Sequence, residues 1–170
     1  MPEPTYIDQG ATFGGEGACY RYRLWRVWDL DLPRVAFVML NPSTADERVL
    51  DPTLRRCLGF AQRWGCGAFE VGNLYALRST DPAGLRAVAD PVGPLNDEYL
   101  VRIAEDATYG VVAGWGSNAD DERAAHVLGL LRRYRSVYRL GSLTGAGHPR
   151  HPLYLPGDLL PTLHGEGRAG

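Results

Sequence analysis

The chain has 170 residues, 45% of them hydrophobic and 22% charged, with a formal net charge of −2. That length suits one domain with its own core; the composition excludes wholesale disorder, and the charge excludes a protein that coats nucleic acid non-specifically. All 18 basic residues are arginine, so Schiff-base chemistry on lysine is excluded, and guanidinium and imidazole are the only side-chain cations available to a phosphate.

Met1 to Gly10 is acidic and polar, without the apolar core of a signal segment, and no stretch is long enough to cross a membrane. Residues 1–17, glycine-rich from Gly10 onward, read as a flexible lead-in. Ala18 to Trp28 begins with near-strict alternation and predicts an edge strand, with Arg21 and Arg23 on one face and Tyr20, Tyr22 and Leu24 on the other. Val35 to Leu40 is an unbroken apolar run without charge, the mark of a strand buried on both faces of a parallel sheet. Proline cannot donate to a ladder, so Asn41-Pro42 ends that strand and leaves Asn41 at its carboxyl end. The polar loop Ser43-Thr44-Ala45-Asp46 follows. Then Asp51 as N-cap and Pro52 at the first helical position open a helix that runs to about Trp64 and stops at Gly65.

Ala68 to Asn73 predicts a second core strand, again ending on asparagine, and Asp81-Pro82 a second helix start. Asn96 reads as the cap of a longer helix through Tyr99, Leu100, Ile103 and Ala104. Tyr109 to Gly114 predicts a third core strand, ending at Trp115-Gly116-Ser117-Asn118, and a helix follows from Asp120 to Arg133. Ser136 to Leu140 predicts a fourth strand, ahead of the glycine-rich loop Gly141 to Arg150 and the closing segment His151 to Pro156; residues 165–170 read as a flexible tail. Cys19, Cys57 and Cys66 form no CxxC pair and have no close histidine, so a metal site is rejected; no cofactor is called for, and a reduced, cytoplasmic protein is expected.

Alternating strands and helices predict a single α/β domain over residues 1–170, three-layered as α/β/α, around a central, mostly parallel four-stranded sheet. In such sheets ligands bind where strand ends open into loops. The strand ends here carry Asn41, Asn73, Trp115 with Ser117, and His148 with His151, and their convergence on one edge is the functional signal.

Four stretches, in order, resemble the uracil-DNA glycosylase superfamily. Phe37-Val38-Met39-Leu40-Asn41-Pro42 resembles the GxNPG strand end, and Val71-Gly72-Asn73-Leu74-Tyr75-Ala76-Leu77-Arg78 the LLLNxxLTVR strand end. Val112-Ala113-Gly114-Trp115-Gly116-Ser117-Asn118-Ala119 resembles LLWGxxA, and His151-Pro152-Leu153 resembles the HPSPLS loop. More closely, Asn41-Pro42-Ser43-Thr44-Ala45-Asp46, Asp51-Pro52-Thr53 and His151-Pro152-Leu153-Tyr154 resemble a bacterial and phage family of unknown function, itself identified as a divergent member of that superfamily.

The resemblance implies hydrolysis of an N-glycosidic bond in a flipped-out deoxynucleotide of damaged or mismatched DNA, in base excision repair. Asn41 matches the residue that positions the attacking water; an amide cannot take the water's proton, so Asp46 or Asp51 would have to help. Asn73 matches the base reader, with Tyr75 or Trp115 as the stacking aromatic, and His151 the donor to the base oxygen as charge develops. Leu153 matches the wedge that fills the vacated stack, while Arg78, Arg150, Ser117 and the backbone near Pro42 and Ser43 hold phosphates. The GQDPYH motif of the efficient uracil enzymes is absent, and the last loop reads His-Pro-Leu-Tyr. Two readings follow: a DNA glycosylase, or a non-catalytic nucleic-acid or nucleotide-binding module on the same fold. Arg132, Arg133, Arg135 and Arg139 read as a solvated helix end.

Overall fold

The computed structural model describes residues 1–43 and 48–165. One sheet of seven strands runs through the molecule: β1 (Asp8–Gly14), β2 (Tyr20–Val27), β3 (Arg34–Met39), β4 (Ala68–Asn73), β5 (Gly110–Ala113), β6 (Val137–Arg139) and β7 (Thr162–Leu163). Their spatial order is β1-β2-β4-β3-β5-β6-β7. Three pairings are parallel, β3 with β4, β3 with β5 and β5 with β6, and three are antiparallel, β1 with β2, β2 with β4 and β6 with β7.

The expected four-stranded, mostly parallel sheet is therefore corrected to a mixed, seven-stranded one. Asp8–Gly14, read from the sequence as flexible lead-in, pairs along its whole length with β2. That places β2 between β1 and β4, so it is not an edge strand. Neither β1 nor β7 carries the apolar run that marks a buried strand, because an edge strand bonds on one side only and stays half solvated.

Among the described residues three α-helices cover the sheet: α1 (Pro52–Arg63), α2 (Asn96–Asp106) and α3 (Asp121–Arg132). The pleat of β3 explains why its whole run is apolar. Val35, Phe37 and Met39 pack into one core with Leu54, Cys57, Leu58 and Phe60 of α1. Ala36 and Val38 pack into the other, with Leu100 and Ile103 of α2 and Val127 and Leu131 of α3. Helices thus lie on both faces.

Helical segments start where an aspartate caps them, and Asp120 does so for α3 without a proline. Asp51 accepts from the Leu54 amide as N-cap of α1, with Pro52 next. The second Asp-Pro opens only a 3₁₀ turn, Pro82–Arg86. Asn96 does not cap α2: Leu95 holds that position, and the Asn96 amide instead donates to the carbonyls of Asn73 and Leu74. A buried asparagine here ties the helix to the end of β4. No helix of the described residues is long and apolar enough to cross a membrane.

Candidate functional site

Because β3, β4, β5 and β6 run parallel, their carboxyl ends and the loops after them share one edge of the sheet. A cleft of about 550 Å³ opens there. Asn41, Ser43, Trp115, Ser117, Arg150 and His151 line it, with Thr53, Ser79, Thr80, Asn118, Thr144 and Tyr154. No carboxylate lies among its described lining residues.

Asn41 is fixed by its own loop. Its Nδ2 donates to the carbonyls of Pro42 at 3.1 Å and Ser79 at 2.8 Å, while the Ser79 amide donates back to the Pro42 carbonyl at 3.0 Å. Both amide protons are spent, so the face left to the cleft is the acceptor, Oδ1. Pro42 itself is buried and contributes through its carbonyl.

His151 is fixed by the end of β5. Glycine at 114 lets the following chain approach closely: a Cβ there would meet Pro152 Cδ at 3.0 Å and the Arg150 carbonyl at 3.3 Å. His151 Nδ1 accepts from the Leu153 amide at 3.3 Å. Burial holds the imidazole below its ordinary pKa of 6.5, against a counter-pull from Asp51, so the ring is neutral. A neutral ring whose Nδ1 accepts carries its proton on Nε2, which makes His151 a hydrogen-bond donor with no charge.

The chain matches a family described as protein of unknown function (DUF1643) over residues 21–153. It belongs to the DUF1643 family. That span includes every lining residue of the cleft except Tyr154 and Leu155. No curated protein and no solved structure gives a significant match.

Behind the cleft wall of this DUF1643 chain, the Ser43 hydroxyl donates to Asp51 Oδ2 at 2.8 Å, while Oδ1 caps α1. Asp51 thus touches the cleft through Ser43. Arg21, 3% exposed, carries charge near Asp51; burial lowers its pKa to about 10 while Asp51 pulls it upward. Nothing in the sequence marked that buried guanidinium, because strand alternation gives a face and not a neighbour.

Other residues singled out from the sequence lie elsewhere. Asn73 is 2% exposed and does not line the cleft, and its Nδ2 has no partner among the described residues. Tyr75 lines a neighbouring cleft. The Arg78 guanidinium lies 5.0 Å from the Phe13 ring centre and donates to the Ala18 carbonyl, bracing the N-terminal turn. Leu153 is half-buried and outside the cleft lining, whereas Tyr154 beside it is 89% exposed at the cleft wall. Asp46 lies outside the described residues. His148 is a brace: Nδ1 accepts from the Trp115 indole at 3.3 Å and Nε2 donates to Asp121 at 2.7 Å. Trp115 is held as a cleft wall in consequence. Among the described residues no cluster of His, Cys, Asp and Glu side chains could hold a metal ion.

The polar lining residues missed by sequence reading are Thr53, Ser79, Thr80, Asn118, Thr144 and Tyr154. Ser79 carried no motif. Tyr154 stood in the quoted His-Pro-Leu-Tyr, but chain order does not tell which of two neighbours faces solvent.

Proposed function

We propose that this protein hydrolyses the N-glycosidic bond of a deaminated or mismatched base in DNA, on a uracil-DNA glycosylase-like fold, in the cytoplasm and without a metal or cofactor. The observation that carries this reading is a neutral Nε2–H donor, His151, in one cleft with a fixed acceptor, Asn41 Oδ1. A glycosidic bond that breaks through an oxocarbenium-like sugar leaves its electron pair on the base. His151 would donate a hydrogen bond to the base oxygen as that charge grows, and keeps its own proton on Nε2. Asn41 Oδ1 would orient the water that attacks the sugar carbon, whose proton leaves through Ser43 toward Asp51. Arg150, exposed at the wall with Nε donating to the Ser142 carbonyl, would meet a phosphate. Asn73 and Tyr75 keep no part in this scheme.

The absence of a carboxylate from the described cleft lining favours the second reading, a binding module that kept the pocket and lost the chemistry. Purified protein, incubated with oligonucleotides carrying uracil, hypoxanthine, xanthine, G·U or G·T, separates the two through alkali-sensitive strand breaks. The expected result is breaks with at least one of these substrates. Replacing His151 by Ala should slow release roughly 10²–10³-fold, the usual effect of losing one preorganised donor. Asn41→Ala is a cleaner companion than Asn41→Asp, which would set a carboxylate oxygen against the Pro42 and Ser79 carbonyls. DNA binding without any base release by the wild type would leave the binding module standing.

A further inference from the structure

Across a rim of Pro82, Ser117 and Asn118, the cleft adjoins a second one of about 800 Å³. The wall of that neighbour carries Asp81, Asp120 and Asp121 against the one guanidinium of Arg86. Asp81 and Asp120 each cap a helical segment with one oxygen, which does not remove their charge. On the side of the cleft toward α1 the lining is basic, with the exposed Asp158 next to it in the chain. Tyr154 projects from the cleft wall there, 89% exposed, and the next carbonyl, Leu155, accepts from Arg56 of α1. Beyond it a hollow of about 310 Å³ runs over α1, lined by Arg55, Arg56 and Arg63 with no acidic side chain among its described lining residues. Arg55, Gly59 and Arg63 stand at i, i+4 and i+8 and so share one helix face. The Arg63 side chain is exposed.

We propose that the cleft takes single-stranded DNA, laid along one flank only. The chain passes from the cleft over Tyr154 and onto the arginine face of α1, and the aspartates on the other flank keep phosphates off. The inference rests on reading the cleft as a nucleotide site, and it adds the strand state and the path. An exposed aromatic followed by cations is the equipment of single-strand binding: bases stack without sequence preference and guanidinium groups follow the backbone. A duplex presents phosphates on both sides of any base it delivers, and one side would meet Asp81, Asp120 and Asp121.

The test is fluorescence anisotropy of the full chain with a labelled oligonucleotide of about 15 nucleotides, single-stranded or annealed. Single strands should bind roughly tenfold tighter than the duplex. Tyr154→Ala, at an exposed position, should weaken single-strand binding roughly tenfold. Joint Arg55→Glu and Arg63→Glu should weaken it further and flatten its dependence on salt. Joint Asp81→Asn and Asp120→Asn keep the cap acceptors and should raise duplex affinity, narrowing the gap. Equal or tighter duplex binding, or single-strand affinity indifferent to the α1 reversals, overturns the proposal. Base release is scored separately. Release with a duplex preference refutes the single-strand path and keeps the glycosylase. Single-strand binding along α1 without release keeps the path and refutes the glycosylase.

Discussion

A single imidazole shows how burial sets chemistry at the residue scale. His151 is a neutral donor because desolvation outweighs the attraction of Asp51. Its pKa lies below 6.5 in the fold and near 6.5 in the unfolded chain, so just below that pH the unfolded state binds more protons. Stability from this group is complete above 6.5 and is lost as pH falls. His164, lowered by burial and by Arg132 and Arg139, acts with the same sign. Urea midpoints should therefore decline from about pH 7 to about pH 5. His151→Asn, which keeps an acceptor for the Leu153 amide, should make that decline shallower. An unaltered slope would assign the effect to other groups. At this scale the strand-end place of Asn41 was legible from its proline, and the loop position of His151 from its motif. The depth of Asn73 was not, since a strand-end position is legible and the burial of its side chain is not.

Capping and close approach govern the elements. Asp51 serves α1 twice, accepting from Leu54 as cap and from Ser43 at the cleft. Asp51→Ala should lower stability by about 1–2 kcal/mol in urea unfolding, while Asp51→Asn should recover most of it. β4 meets α2 through Gly72, where a Cβ would lie 2.8 Å from Ile103 Cδ1 and 2.9 Å from Leu100 Cδ2. Both partners are fully buried, so Gly72→Ala should cost about 1 kcal/mol, read in the same experiment; a neutral result would mean the α2 side chains can yield. Helix starts with Asp-Pro were legible because the signal is local. The inward turn of Asn96 was not, because its partners are the carbonyls of Asn73 and Leu74, more than twenty residues earlier in the chain.

For the whole molecule, Glu70 joins three strands. Fully buried on β4, it meets Arg23 of β2 at 2.5 Å and Arg34 of β3 at 3.1 Å. Burial raises its carboxyl pKa although both arginines pull it down. Removing the carboxylate strands two guanidinium groups beside the sheet, and Glu70→Ala should destabilise the fold by about 3 kcal/mol in thermal or urea unfolding. A loss below about 1 kcal/mol would mean that solvent already screens the pair. By itself the sequence determined the apolar strands β3, β4 and β5, the Asp51 cap of α1 and the edge on which Asn41 and His151 stand, because periodicity, proline and capping act over a few residues. Only the tertiary structure decided the antiparallel strands at the two sides, the withdrawal of Asn73 and Arg78 from the cleft and the exposure of Tyr154. Those depend on which distant segments pair and what each side chain then meets, and that information lies in contacts between elements, outside any local pattern.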